Sequence, residues 1–420
     1  MHSVTILSQH WSTIQGVLFP SLKEKLGPLS NSHEKVIAII ELLRTEAFIM
    51  CDSGYRGRPC DDRLPIFHAF IAKSVLNLPT TSSLIDRLNV DNALRQICGW
   101  DSKGNIPSES TFSRAFREFS SSRLVEKMHE FVIKNNLKDH LFGHISRDST
   151  SIVGYEKRTK TRKKGSSKEL SPENKPLVEL KVVEEIKKCS SVPDEEKCSS
   201  GNPSLNQPPQ PVKRKRGRPK GSTKTKVPTR IERQLEMSLD EMLDDLPKSC
   251  DLGRKSTKGY KESWKGFKLH IDVSDGQIPI SCVLTSASLY DSQVAIPLSV
   301  MTSQRVTNLY DIMDSAYDSA LIREHSQSLG HVPIIDINPR RNKKKQEECK
   351  AEPKRLKSLN IQMPATTRYN ERNSVERVNG RLKSEFGGKM VHVRGHAKVM
   401  THLMFGILVL TVDQLVRFIM

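Results

Sequence analysis

Residues 266–284 read Gly-Phe-Lys-Leu-His-Ile-Asp-Val-Ser-Asp-Gly-Gln-Ile-Pro-Ile-Ser-Cys-Val-Leu. Phe267, Leu269, Ile271 and Val273 alternate with Lys268, His270 and Asp272, the period of a strand with two unlike faces. Asp275-Gly276 is a turn signal and Ile280–Leu284 supplies a second apolar run, so the stretch predicts a β-hairpin. Downstream, Ser292–Met301 predicts a helix, Leu309–Met313 a strand ending at Asp314, Ser319–Leu329 a helix and Val332–Ile337 a further strand. Residues 338–368 are basic and read as irregular, while Arg372–Phe386 and His396–Met420 read as helices. Upstream, residues 144–148 (His-Ile-Ser-Arg-Asp) predict a short strand that ends in an acid. Strand, hairpin, strand, helix, strand, helix is the order of a mixed α/β sheet with helices packed on it.

Before this segment, residues 1–140 predict an all-α N-terminal domain. Val36, Ile37, Ile39, Ile40, Leu42 and Leu43 stripe one helix, and Ile66, Phe67, Phe70, Ile71, Val75 and Leu76 another. A third, capped by Ser108 or Ser110, turns Phe112, Ala115, Phe116 and Phe119 inward and Arg114 and Arg117 outward, with a short helix at Ser82–Leu88 before it. Two readings fit this arrangement: a helix-turn-helix reader whose Arg114 and Arg117 face a DNA groove, or an ordinary bundle with solvated arginines. Residues 157–258 are rich in Lys, Ser, Pro and Glu and poor in aromatics, which predicts a disordered basic insertion, with one short helix at Arg230–Leu246. The sheet domain is thus expected in two parts, 141–156 and 259–420.

The chain of 420 residues carries a formal charge of +19, and such an excess favours a polyanionic partner through counterion release. Its eight cysteines show no C-x2-C pair, which excludes a zinc-finger spacing and fits free thiols in a reducing compartment. No signal peptide is visible, and the longest apolar run, Leu403–Val412, falls short of the about 20 residues that span a bilayer. A cytoplasmic, DNA-associated protein with no membrane partner is expected.

Three acids carry the chemistry. Asp148 and Asp314 each end a predicted strand, where neighbouring strands bring side chains together at the rim of a sheet, and Glu376 lies on the helix that follows. Carboxylates in such a set suit hard divalent cations, and a two-metal phosphoryl-transfer site needs a few of them converging. A lone Asp at a strand end is more often a turn former. The helix adds weight: Arg372, Glu376, Asn379 or Gly380, and Lys383 share one face, with Tyr369 just before them. An acid flanked by two cations suits a phosphodiester; an exposed salt-bridged helix would look similar.

The run Tyr369-Asn-Glu-Arg372-Asn-Ser-Val-Glu376, continued to Lys383, fits Y-x2-R-x3-E-x6-K and resembles the signature of a large group of bacterial insertion-sequence DDE transposases. Asp314-Ser-Ala-Tyr317-Asp318 resembles their second-aspartate motif and Asp148-Ser149-Thr150 their first. Gly266-Phe267-Lys268-Leu269-His270 and Ala287-Ser-Leu-Tyr-Asp291-Ser292 resemble two stretches between them. The resemblance implies a ribonuclease-H-like catalytic sheet, with Asp148, Asp314 and Glu376 holding Mg²⁺ or Mn²⁺. It also implies that Tyr369, Arg372 and Lys383 contact DNA phosphates. The implied reaction is metal-dependent cleavage at transposon ends followed by strand transfer of the 3′-hydroxyl into target DNA. The implied partners are terminal inverted repeats, target DNA and a second copy of the chain on DNA. Lys268 and His270 either line that site or occupy the solvated face of a strand. Asp311, Asp318 and Glu371 rival the chosen acids, but Asp311 sits inside its strand, Asp318 beyond the motif tyrosine, and Glu371 off the Arg372–Lys383 face.

Two features depart from the resemblance. Many relatives carry a β-rich insertion between the second aspartate and the glutamate, whereas here that interval looks like a basic loop. The long insertion instead follows Asp148, and within it Lys213-Arg-Lys-Arg216-Gly217-Arg218-Pro219-Lys220 resembles an AT-hook, whose Arg216, Arg218 and Lys220 would enter a narrow minor groove. A catalytically inactive DNA-binding derivative of a transposase is the alternative function; the intact acids and the full signature speak against decay.

Overall fold

A computed structural model describes residues 2–49, 62–156, 228–257, 260–340, 342–389 and 391–419. The AT-hook-like run 213–220 lies outside them. Eight helices come first: α1 (His2–Thr13), α2 (Phe19–Leu26), α3 (Asn31–Leu43), α4 (Arg63–Val75), α5 (Thr81–Val90), α6 (Asn92–Cys98), α7 (Glu109–Ser121) and α8 (Leu124–Leu137). They are followed by β1 (Leu141–Val153), α9 (Arg230–Gln234), α10 (Leu239–Asp245), β2 (Asp251–Thr257), β3 (Tyr260–Ser274) and β4 (Pro279–Ser286). The remainder is α11 (Ala295–Ser303), β5 (Thr307–Met313), α12 (Ala320–Ser328), β6 (Val332–Ile335), α13 (Lys343–Ser358), α14 (Pro364–Asn370), α15 (Asn373–Glu385) and α16 (His396–Ile419).

A helical N-terminal region thus precedes a mixed sheet flanked by helices. β1 lies at the centre, antiparallel to β3 and parallel to β5, which is parallel in turn to β6. β4 pairs with the second half of β3, and β2 with the first half, Asp251 opposite Gly266 where Phe267 faces Ser286. Strand order and direction are consistent with a ribonuclease-H-like DDE domain. The hairpin read from 266–284 forms, its turn closed by Gln277 N–H donating to Ser274 O. Gly266 could be nothing else: at φ +154 its α-carbon approaches Ile152 O so closely that an added Cβ would lie 2.1 Å from it.

Several elements differ from the sequence reading. β1 continues five residues past Asp148, because Ser149–Val153 find partners along His270–Gly266 of β3. Residues 229–257, which composition assigned to the insertion, form α9, α10 and β2. The single helix expected at Arg230–Leu246 is two helices, each opened by a capping box, Thr229 with Glu232 and Ser238 with Glu241. Leu239, Leu243 and Leu246 then pack against Val294, Leu298 and Met301. The stretch 338–368, read as irregular, holds α13, capped by Asn342 with none of its residues buried, and α14, begun by Pro364.

α16 runs through the core. Phe405 on it meets Phe67, Phe70 and Phe116 at ring-centroid distances of 5.0, 5.6 and 6.3 Å. One hydrophobic cluster joins α3, α4, α7, α8, β1, β3, β4, α15 and α16, so the helical region and the sheet share a core. By length and composition His396–Phe418 could cross a bilayer, but 83% of its apolar window is buried inside the protein.

Candidate active site

Arg147 faces Met313 across the parallel β1–β5 pair, so the next residues on the two strands, Asp148 and Asp314, emerge side by side at the rim. Alternation puts Asp148 on the face shared with Ile271, against which α15 packs through Val375, Val378 and Leu382. Asp314 follows the last residue of β5, and its Oδ1 accepts from the Ala316 N–H at 2.9 Å, which fixes the carboxylate as the chain turns away. Glu376 lies in the first turn of α15 and is half-exposed.

Arg372 stands among these acids. It caps α15, and its guanidinium lies 3.6 Å from Asp148 Oδ2 and 2.6 Å from Glu376 Oε1. Burial opposes its charge, yet its pKa is raised because Asp148, Tyr369, Glu376 and Asp314 surround it with negative or polar groups. Burial pushes the Asp148 carboxyl up to about 6; the Ser149 N–H and Arg372 pull it down, while the charges of Asp314 and Asp291 add to the rise. Asp314 is also raised, chiefly by burial, despite Ala316 and Arg372. Among the described residues no three His, Cys, Asp or Glu side chains converge closely enough to hold a metal ion. Two crowded acids that the fold neutralises with an arginine are nonetheless hard oxygen donors short of positive charge, and that donor set fits Mg²⁺ or Mn²⁺.

The surroundings hold this rim in place. Ser146 Oγ donates to Glu371 O at 3.4 Å, and the Arg368 guanidinium lies 4.0 Å from the Tyr310 ring centre, so the α14–α15 junction is tied to both β1 and β5. On the opposite face Arg147 donates to both oxygens of Asp272, at 2.7 and 2.6 Å, and Thr302 Oγ1 donates to Asp272 as well. All the charge in this pair is buried. Burial works against the Arg147 cation, but Asp272 outweighs it and raises its pKa.

Tyr369 is on α14, separate from the helix of Glu376, and is hydrogen-bonded to Arg372. Its pKa is raised, chiefly by burial. Lys383 lies farther along α15, half-buried, its pKa lowered by burial and by the charge of Lys255. Asn379, expected on the shared face, is buried, whereas Gly380 is exposed.

Lys268 and His270 lie on the strand face opposite Asp148, His270 fully buried and Lys268 only partly exposed. They share the Arg147–Asp272 face, where Lys268 Nζ donates to Asp291 at 2.9 Å and the fully buried His270 lies 3.7 Å from the same carboxylate. Asp291 is therefore a further acid near the site whose charge reaches both aspartates; the sequence shows it only as part of a motif, with no periodic signal of its own. Of the rival acids, Asp311 is buried and held by Ser326, His331 and Asn308, and Asp318 is bound to Arg323 and the Asn338 N–H. Arg114 and Arg117 are exposed on α7, but α6 and the connection 99–108 separate α5 from α7, so these two helices are not joined by the short turn of a helix-turn-helix. This spacing favours the bundle reading.

Comparison with known proteins agrees with this geometry. Residues 223–412 match the family described as Transposase DDE domain, a span that includes Asp314 and Glu376 and begins after Asp148. Residues 21–118 match the family described as Transposase domain (DUF772), which covers most of the helical region. No curated protein and no solved structure matches the chain. With two transposase-domain matches, one over most of the helical region and one over the sheet from β2 onward, the function of this chain is that of a DNA transposase.

Proposed function

We propose that the chain is an insertion-sequence transposase of the Y-x2-R-x3-E-x6-K group, which cleaves transposon ends and joins them to target DNA in a cut-and-paste reaction. One observation carries this reading: Asp148 and Asp314 lie on adjacent parallel strands beneath the helix of Glu376, with Arg372 reaching Asp148 and Glu376. Asp148, Asp314 and Glu376 would hold the Mg²⁺ or Mn²⁺. A bound divalent cation supplies Lewis-acid activation of the attacking oxygen and neutralises charge on the phosphate.

The chain's own residues do the rest. Asp148 is fixed by strand pairing and Asp314 by the Ala316 N–H, so both need little rearrangement, whereas Glu376, half-exposed and bonded among the described residues only to Arg372, is the acid that must swing inward. Arg372 would be freed from the acids by a cation they held. Its planar fork is then available to a phosphate, as a bidentate donor beside Tyr369. Lys383, about 10 Å beyond Glu376 along the same helix, supports the backbone of the bound end. No covalent protein–DNA bond is required. Inverted-repeat ends and target duplex are the substrates, and two copies of the chain act together because two ends are joined.

The test incubates the protein with labelled transposon-end duplex and Mg²⁺ or Mn²⁺, beside Glu376→Gln, which keeps shape and removes charge. The expected result is end cleavage and strand-transfer products from the wild type alone. Binding of correct ends with no cleavage by either protein would instead support a non-catalytic DNA-binding derivative.

A further inference from the structure

β3 outruns its partner. Its last pair with β1 is Gly266 opposite Val153, and residues 260–265 continue beyond, paired only with β2. The projection leaves from the C-terminal end of β1, the direction in which the acids emerge, with its root five residues past Asp148, about 17 Å along the strand. Lys383 is displaced from Glu376 along α15 and feels the charges of Lys255 and Glu262, which pair across the hairpin.

The hairpin is stiff at its root. The Trp264 ring lies so close over Gly253 that a Cβ there would come within 2.4 Å of it, and Trp264 Nε1 donates to Phe267 O at 3.0 Å. Gly154 N–H donates to Lys265 O at 2.8 Å, locking the same point to the end of β1. Cross-strand pairing sets Leu252 opposite Lys265 and Arg254 opposite Ser263, and alternation along β3 adds Lys261 to that face. Arg254, Lys261 and Lys265 are exposed and have no acidic partner among the described residues. Tyr260, at the far end, is 83% exposed. Three unpaired cations on one face of a braced ribbon contribute nothing to the core and repel one another, an arrangement that suits a polyanion laid along it.

We infer that the β2–β3 hairpin is a basic arm that grips the phosphate backbone of duplex DNA leading away from the acids. This inference rests on the transposase reading and extends it to a contact surface for which the family signature offers no residue. The contacts are to phosphate, so they add affinity and position without reading sequence.

The experiment uses the full-length chain and the variant Arg254→Glu/Lys261→Glu/Lys265→Glu. Binding to transposon-end duplex and to unrelated duplex is measured by fluorescence anisotropy across a salt series. The expected result is at least a roughly 10-fold loss of affinity at 0.1 M salt, a logarithmic salt slope shallower by roughly 2–3, and an unchanged melting temperature. Loss confined to the end duplex assigns the arm to the transposon end, and loss confined to unrelated duplex assigns it to the target. The milder Arg254→Gln/Lys261→Gln/Lys265→Gln, which only neutralises, should fall between wild type and charge reversal. Equal affinity and slope in variant and wild type would overturn the arm while leaving the transposase reading intact. A wild type that bound neither duplex would overturn both.

Discussion

Arg372 stands 3.6 Å from the Asp148 carboxylate, held there from the cap of a helix that packs on the strand bearing the acid. It also binds Glu376, so a single cation serves two of the three acids, and its charge lowers the pKa of the third, Asp314. A fixed positive charge in that position would compete with a metal ion for the same oxygens.

Arg372→Ala should therefore bind Mn²⁺ more tightly in the absence of DNA. Removing a unit charge about 4 Å from a divalent ion in a water-like dielectric is worth about 2 kcal/mol, or roughly 30-fold in affinity. Electron paramagnetic resonance titration of free Mn²⁺ reads this directly. End cleavage by the same variant should fall, because the phosphate loses its donor. Unchanged or weaker Mn²⁺ binding would sink the competition argument.

Asp148 links the site to stability. Its folded pKa is raised to about 6, above the about 3.9 of an unfolded chain. Between those values the folded form holds the extra proton, so stability declines as pH rises through that window and the full penalty applies above pH 6. Asp148→Asn should stabilise the metal-free protein by about 3 kcal/mol at pH 8 and by almost nothing at pH 4, while abolishing cleavage. Thermal melts of both proteins at the two pH values decide the matter; a variant less stable at pH 8 would contradict it.

The buried Arg147–Asp272 pair supports the strand from behind. Asp272→Ala leaves a guanidinium buried without its partner, at a cost of about 3–5 kcal/mol. Replacing both members, Arg147→Met with Asp272→Leu, should recover most of that loss in urea unfolding. If the double variant were as unstable as the single one, the pair would be shaping the rim rather than compensating its own burial.

Much of this was legible in the chain. The 2-residue period of Phe267–Val273, the Asp275-Gly276 turn and the strand before Asp314 carry the hydrophobic patterning that decides their conformation, and the structure has all three. The motif order by itself points to a transposase. What escaped was set by tertiary partners or by short signals. The continuation of β1 past Asp148 depends on β3 being there to pair with Ser149–Val153. α9 and α10 sit in a Lys- and Ser-rich region that reads as linker, although Thr229-Arg-Ile-Glu232 and Ser238-Leu-Asp-Glu241 are helix-start signatures. The burial of His270 and Lys268 was invisible because α11 and the turn at Asp291 cover a strand face that alternation marks as polar. Arg372 matched a motif, but its bridging of the acids is a matter of helix placement alone.

α16 has a consequence for how this chain comes to be. Its phenylalanine meets those of α4, and the two helices lie roughly 320 residues apart in sequence. On the ribosome the early helices therefore emerge with their greasiest faces uncovered and must wait for α16 to be made before the missing piece arrives. Such distant closures fold slowly and leave sticky intermediates in the interval. A chain that stops before residue 396 is expected to collect in aggregates or in the grip of chaperones, so a truncated message from this gene would yield no free helical fragment to compete for DNA.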